Sequence, residues 1–238
     1  MKNTLKMFGI IAIVAVIGFW SVSCGDDDGG GGNAISGNTI TSGEEVVYGS
    51  SIKDVAEAKN VTDFGFMYYW DEKNDTEKLK PLSYFLDGSP SITINNNKVT
   101  IILGTPKSAY LKNISELIDE NDDKHSITIN KDMVTPNNAK FFFDLSDFST
   151  ADGKYFCICL KDDNNFVYIC YVDRNVTIKG SYTEDYYGTI LNYNCSLKKG
   201  WNYIVMSFNE TKDTVTYTSS TTQPNGYKWT VYARDDRY

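Results

Sequence analysis

Three tyrosines and two carboxylates lie within one short polar stretch of the sequence. Residues 181–188 read Ser-Tyr-Thr-Glu-Asp-Tyr-Tyr-Gly, and Trp201 follows a turn at residues 198–200. An aromatic ring can cover the apolar C–H face of a sugar while carboxylates accept hydrogen bonds from its hydroxyl groups. The alternative is that these rings are ordinary strand residues, since tyrosine is common in β proteins and Trp201 begins an apolar run. The binding interpretation gives a candidate site of Tyr182, Glu184, Asp185, Tyr186, Tyr187 and Trp201.

Catalytic motifs are absent from the sequence. It has one histidine, His125, and neither a G-x-S-x-G nor a phosphate-binding G-x-x-x-x-G-K-[ST] pattern. The acid-rich stretches at residues 71–75 and 119–123 lack the spacing of an EF-hand calcium loop. We therefore expect a protein that is not an enzyme and that needs no cofactor and no metal.

Two apolar runs, residues 154–160 and 166–172, flank a turn-forming stretch and predict a β-hairpin. If the turn is centred between residues 163 and 164, both faces of the hairpin are apolar, which favours a central position in a sheet. This register pairs Phe156 with Tyr171, Ile158 with Ile169, Leu160 with Val167 and Cys157 with Cys170.

Four of the five cysteines are Cys157, Cys159, Cys170 and Cys195. An even number of cysteines allows disulfides in an exported chain. The predicted register makes Cys157–Cys170 a candidate cross-strand disulfide, with Cys159–Cys195 as a second pairing. The alternative is that all four are small buried thiols.

The elements that must position these residues are strands. From about residue 45 onward, short runs rich in Val, Ile, Thr, Tyr and Phe alternate with turn residues. Weak helical periodicity occurs only at residues 52–59 and 114–118. The pattern predicts an all-β, antiparallel β-sandwich of roughly eleven short strands with at most one or two short helices. The expected strands include residues 63–70, 91–95, 98–103, 126–130, 139–145, 154–160, 166–172, 176–179, 189–197, 202–208, 214–219 and 227–232.

The net charge of the chain is −8 and its pI is about 4.7. A general nucleic-acid binder needs a clustered basic face to neutralise phosphates, and the overall charge opposes such binding. We therefore expect no nucleic-acid partner.

The first 24 residues carry a processing signal. Lys2 and Lys6 precede a run without charges at residues 8–20, which is too short to span a membrane as a helix and suits a signal peptide. The sequence then continues Ser-Val-Ser and Cys24. This ending resembles the lipobox of bacterial lipoproteins, although Ser21 stands where that family usually has leucine. The resemblance implies that Cys24 becomes the acylated first residue of the mature chain, with the membrane as a partner.

An acidic, glycine-rich stretch follows Cys24, with three aspartates at residues 26–28 and four glycines at residues 29–32. It resembles the surface-export signal of Bacteroidetes-type lipoproteins, and it can equally be a solvated spacer. We therefore expect a signal peptide at residues 1–23, a tether at residues 24–44 and one β-sandwich domain at residues 45–238.

Taken together, the chain resembles envelope lipoproteins of spirochaete and Bacteroidetes-type bacteria. This resemblance implies a lipid-anchored protein of the cell envelope, on either face of the outer membrane. The first expected function is a non-enzymatic binding module for a glycan or a surface protein, working through residues 181–188. The alternatives are a structural or assembly component of the envelope and a lipocalin-like barrel that carries a small apolar ligand.

Overall fold

The computed structural model describes residues 39–41, 45–52, 55–59, 63–71, 76–113, 131–145, 148–150, 156–162, 165–183 and 188–233. These ranges contain mostly strands, together with the short helix Val55–Lys59, the helical turn Leu82–Phe85 and two 3-10 turns at Ser108–Tyr110 and Lys131–Met133. The predicted all-β class is therefore confirmed. No helix within the described ranges is long and apolar enough to cross a membrane.

Nineteen strands lie within the described ranges, more than the roughly eleven expected, because several are pairings of only two or three residues. They are β1 (Thr39–Thr41), β2 (Val47–Tyr48), β3 (Phe66–Asp71), β4 (Thr76–Pro81), β5 (Leu86–Asp87), β6 (Ser91–Asn95), β7 (Lys98–Ile102), β8 (Thr105–Pro106), β9 (Lys112–Asn113), β10 (Val134–Thr135), β11 (Lys140–Leu145), β12 (Phe148–Ser149), β13 (Phe156–Lys161), β14 (Phe166–Val172), β15 (Val176–Thr183), β16 (Ile190–Leu197), β17 (Gly200–Asn209), β18 (Thr214–Ser220) and β19 (Lys228–Ala233). The predicted strand at residues 126–130 and the helical pattern at 114–118 lie outside the described residues.

Most described strands belong to one large sheet with the order β10-β15-β16-β18-β17-β14-β13-β12-β3-β4. Strand β11 branches from β14, and β19 branches from β13. The path through the described strands does not close on itself, so the sheet is not the closed barrel of the lipocalin-like alternative. A separate three-stranded sheet has the order β1-β7-β6, and β5 pairs with β8.

Two apolar cores lie on opposite faces of the central strands β14 and β17. Val167 and Ile169 of β14 belong to the first core, whereas Tyr168 and Cys170 of the same strand belong to the second. Successive side chains of a strand point to opposite faces, so an uninterrupted apolar run buries both. The expectation that this segment lies centrally, with two apolar faces, is therefore confirmed.

The first core is formed between the central strands and the β1-β7-β6 sheet. In β6, Ile92 and Ile94 are buried while Thr93 between them is exposed, which is the alternation of a sheet with one solvated face. The second core is lined by β14 to β18 together with Phe141 of β11. This part of the large sheet therefore curves around its own side chains.

The folded domain begins before residue 45, where the sequence placed the end of the tether. Strand β1 pairs with β7 in register Thr39 to Ile102, and Ile40 is completely buried in the first core. The alternation of Thr39-Ile40-Thr41 is a strand pattern, but it is too short to be distinguished from a linker by sequence alone. Residues 39–41, which the sequence assigned to the tether at residues 24–44, therefore form a strand of the folded domain.

The predicted hairpin is correct near its turn and wrong further away. Leu160 pairs with Val167 and Lys161 with Phe166, as the register requires. Beyond these pairs the two strands separate, and β13 pairs instead with β12 and β19 while β14 pairs with β11 and β17. Turn geometry fixes only the first pairs, and later pairs depend on which distant strands compete for the same edge.

This separation also removes the predicted disulfide between Cys157 and Cys170. Cys157 pairs with Ser149 and Tyr232, whereas Cys170 pairs with Asn202 of β17. All four described cysteines are buried thiols outside any disulfide, including the Cys159 and Cys195 of the second suggested pairing. The alternative interpretation of four buried thiols describes this structure.

Two of these thiols make stability depend on pH. Burial is the main cause that raises the pKa values of Cys170 and Cys195, both in the second core, far above the ordinary range. Unfolded thiols ionise at about pH 8.5 while the folded ones stay neutral, so the free energy of unfolding falls as pH rises above that value. The limiting slope is about 1.4 kcal/mol per pH unit for each thiol.

We therefore expect a Cys170→Ala/Cys195→Ala variant to lose stability less steeply than the wild type between about pH 8.5 and 10. Urea unfolding in the presence of a reductant measures the slope. Met206→Leu, in the same core, is the control, because it changes packing without removing a titrating group. An unchanged slope in the double variant would contradict this linkage.

Candidate functional site

The structure describes two of the six residues predicted to bind a ligand. Tyr182 and Trp201 lie within the described ranges, whereas Glu184, Asp185, Tyr186 and Tyr187 lie outside them. Cys24 also lies outside the described residues. The geometry therefore bears on only part of the predicted site.

Trp201 is a core residue and cannot face a ligand. Its side chain is 5% exposed and its indole Nε1 donates a hydrogen bond of 3.0 Å to the carbonyl oxygen of Gly104. Its ring meets Phe142 and Tyr171 edge-on, with centroids 6.1 and 5.4 Å away. The assignment of Trp201 to a binding site is wrong, because as the second residue of β17 it points into the first core.

Tyr182 is half-buried and packs against the second core, on the opposite side of the central strands from Trp201. It pairs with Leu191 in the hairpin of β15 and β16, close to the end of that hairpin. The structure therefore does not bring Tyr182 and Trp201 together.

A different surface presents an aromatic ring to solvent. We call it the aromatic patch, and define it as Lys80, Tyr84, Lys107 and Tyr110. Tyr84 is 41% exposed, a high value for so large an apolar side chain. Exposed rings beside polar groups are a common feature of ligand-binding surfaces. Single scattered apolar residues are normal on any protein surface and do not indicate a site.

Local sequence explains why Tyr84 points outward. It lies in the helical turn Leu82–Phe85, which begins after Pro81. Leu82 and Phe85, three residues apart, both point into the first core, so the side chains between them face solvent. The turn follows a strand and is too short for helical periodicity to be recognised.

Neighbouring rings hold Tyr84 in place. Its ring centroid lies 5.0 Å from that of Phe85 and 5.5 Å from that of Tyr110. Phe85 in turn lies 6.2 Å from Phe142, which contacts Trp201. A continuous row of rings therefore connects the exposed Tyr84 to the core, and offset or edge-on ring pairs of this kind add about 0.5–1.5 kcal/mol each.

Two lysines complete the patch. Lys80 Nζ lies 4.9 Å from the centre of the Tyr84 ring, in cation–π range. Lys107 Nζ donates hydrogen bonds to the carbonyl oxygens of Ser83 and Tyr84, at 2.6 and 3.2 Å. Lys107 thus fixes the backbone beneath the ring, while Lys80 contacts the ring through a cation–π interaction, which is weak at exposed sites.

The aromatic patch contains two phenols and two ammonium groups. Among the described residues, no group of three or more His, Cys, Asp or Glu side chains could hold a metal ion. A rigid ring with a movable cation beside it can stack on an apolar ligand face and pair with a ligand anion.

Sequence reasoning missed this patch because its parts are separated along the chain. Tyr84 and Tyr110 are 26 positions apart, and β6 and β7 lie between them. The one local signal is the Leu82–Phe85 spacing after a proline, which places an intervening tyrosine outside. That signal predicts that Tyr84 is exposed, but it does not predict which residues lie around it.

Comparisons with known proteins identify no relative of this chain. No family model, no curated protein and no solved structure matches the chain. The fold therefore defines the class only as an all-β, sandwich-like protein.

The Trp201 hydrogen bond can be tested against a second buried tryptophan. Trp201→Phe leaves the Gly104 carbonyl without its donor, which costs about 1–3 kcal/mol. Trp229 is 2% exposed and its Nε1 has no hydrogen-bond partner among the residues that the structure describes, so Trp229→Phe removes a similar ring area without breaking a hydrogen bond to any of them. We expect Trp201→Phe to lower the free energy of unfolding, measured in urea, by more than Trp229→Phe does. Equal losses would contradict the role given to the Trp201 hydrogen bond.

Proposed function

We propose that this chain is a lipid-anchored, non-enzymatic protein of the bacterial cell envelope that binds a glycan through the aromatic patch. The observation that carries the binding proposal is the exposed Tyr84 ring, held by Phe85 and Tyr110 at 5.0 and 5.5 Å. The resemblance of residues 1–24 to a lipoprotein signal supports the anchor and the location.

The rigidity of Tyr84 favours binding. A side chain that is already held by its neighbours loses little rotational freedom when a ligand stacks on it, so more of the contact energy appears as affinity. Tyr84 has ring neighbours on two sides and a fixed backbone beneath it. The side chain is nevertheless 41% exposed, and this exposed part is available to a partner.

A sugar matches the mixed chemistry of the patch. One face of a pyranose carries C–H groups that pack on a ring, and its rim carries hydroxyl groups that need hydrogen-bond partners. The tyrosine hydroxyls and the exposed Ser108 hydroxyl supply such partners. A surface protein is the competing ligand, and it would bury a larger area around Tyr84 than a sugar chain does.

The anchor is tested with a Cys24→Ala variant. Loss of the acylated cysteine removes the buried hydrocarbon that holds the chain in the bilayer, and the net charge of the chain gives no compensating attraction to anionic lipid. We expect the wild type to fractionate with envelope membranes after a high-salt wash and to incorporate radiolabelled palmitate. Cys24→Ala should lose the label, and label in that variant would contradict the proposed site.

The glycan site is tested by affinity electrophoresis of the mature chain, in neutral detergent, through gels that contain neutral or acidic polysaccharides. Tyr84→Ala should reduce the retardation by about tenfold in apparent affinity, which corresponds to about 1.4 kcal/mol of lost ring contact. Thermal unfolding of Tyr84→Ala checks that the substitution at this half-exposed position leaves the fold intact.

The matched control is Tyr186→Ala/Tyr187→Ala, in the stretch that the sequence first suggested. If the double variant loses retardation and Tyr84→Ala keeps it, the binding site is at residues 181–188 and not at the aromatic patch. If neither wild type nor variants are retarded by any polysaccharide, the glycan proposal fails.

A further inference from the structure

A second surface feature lies at the end of the large sheet where β17 begins. We call it the basic end, and define it as Lys140, Arg174, Lys198 and Lys199, all four exposed. The register brings them together, because Phe141 pairs with Val172 and Val172 pairs with Gly200. The four cations therefore lie close to the same end of three neighbouring strands, β11, β14 and β17.

The loops that carry these cations are tied to one another. Asp173 accepts a hydrogen bond from the backbone N–H of Lys140 at 2.9 Å, and its own N–H donates to the Lys140 carbonyl at 3.0 Å. Arg174 Nη1 donates to the Asn138 side chain at 3.1 Å. The backbone N–H of Lys199 donates to the Asn175 side chain at 2.9 Å. The basic end is thus built on a fixed frame.

One carboxylate lies on these loops, and it is already neutralised. Asp173 forms an ion pair of 2.9 Å with Arg174. Partial burial acts to raise the pKa of Asp173, but the Arg174 hydrogen bond, the Lys140 backbone hydrogen bond and their positive charges hold it below its usual range. The ion pair leaves the charges of Lys140, Lys198 and Lys199 to act on a partner, in a chain whose net charge is −8.

The aromatic patch and the basic end lie towards the two ends of a row of rings that runs through the first core, with Trp201, Phe142 and Phe85 all buried. Trp201 follows Lys199 after one glycine, and Phe142 follows Lys140 after one residue. From Trp201, the row of rings reaches Tyr84 in three steps of 6.1, 6.2 and 5.0 Å. Lys80, above the Tyr84 ring, adds a cation at the far side of this path.

We propose that the glycan is an extended polyanion, a polysaccharide with carboxylate or sulfate groups, that contacts both the aromatic patch and the basic end. This inference rests on the proposed function and adds the ligand's charge and direction. Cations spaced along one end of the sheet match regularly repeated anions, whereas a neutral glycan would use only the patch. A chain of net negative charge repels a polyanion on average, and a positive region such as the basic end offsets that repulsion locally.

The test compares two triple variants with the same change in net charge. Lys140→Gln/Lys198→Gln/Lys199→Gln removes three charges from the basic end. Lys161→Gln/Lys212→Gln/Lys228→Gln removes three charges from the other end of β17, where Lys161 pairs with Lys228 and Lys212 lies in the turn after Asn209. Affinity electrophoresis of the mature chain in neutral detergent uses polygalacturonate as the acidic ligand and dextran as the neutral one.

We expect the wild type to bind polygalacturonate at least tenfold more tightly than dextran, with an affinity that falls as salt increases. The basic-end variant should lose at least tenfold in affinity for polygalacturonate and show a shallower salt dependence. The control variant should retain both properties. This pattern would support the proposal.

The other outcomes separate the two proposals. If dextran and polygalacturonate bind equally and only Tyr84→Ala weakens them, the glycan site stands and the polyanion inference is overturned. If both triple variants lose affinity equally, the effect is net charge and the inference is also overturned. If, in a Cys24→Ala background, the basic-end variant instead loses sedimentation with phosphatidylglycerol vesicles while no polysaccharide is bound, the partner is an anionic lipid surface, and both the inference and the glycan function are wrong.

Discussion

The hydrogen bond from Trp201 Nε1 to the Gly104 carbonyl holds the two parts of this molecule in one arrangement. Trp201 belongs to β17 of the large sheet, and Gly104 follows β7 of the three-stranded sheet, 97 positions earlier in the chain. Gly104 has a φ of +69°, and a Cβ there would collide with the carbonyl of Asp87. Only glycine therefore lets this backbone pass between Asp87 and the indole, and the aromatic row to Tyr84 depends on that passage.

The burial of both faces of the central strands explains why the chain needs two further layers. A strand whose side chains are apolar on both sides must be covered twice, and each covering layer must itself have one apolar face. On one side the β1-β7-β6 sheet provides it, with Ile92 and Ile101 directed inward. On the other side the large sheet curves and supplies the covering layer itself. There the rings of Tyr193 and Tyr217 stack within the second core, with their centroids 5.1 Å apart.

Sequence reasoning succeeds here where neighbouring residues determine the outcome. The turn after Lys161 fixes its pairing with Phe166, and alternation identifies β6 and β7 as strands with one solvated face. It fails where the outcome depends on distant competition, as when β11 and β12 enter between the arms of the hairpin and separate Cys157 from Cys170. The candidate site follows the same rule: the exposure of Tyr84 has a local cause, but its contact with Tyr110 depends on the fold.

The charge pattern of the folded domain differs from what the composition indicates. A net charge of −8 and a pI of about 4.7 describe an acidic protein on average, and a uniform distribution would repel any anionic ligand. The fold instead gathers Lys140, Arg174, Lys198 and Lys199 on loops that hydrogen bonds hold together, with Asp173 neutralised among them. At physiological ionic strength fields decay within about 8 Å, so this local positive region acts on a nearby ligand more strongly than distant carboxylates do. A negatively charged chain can therefore present a cationic surface.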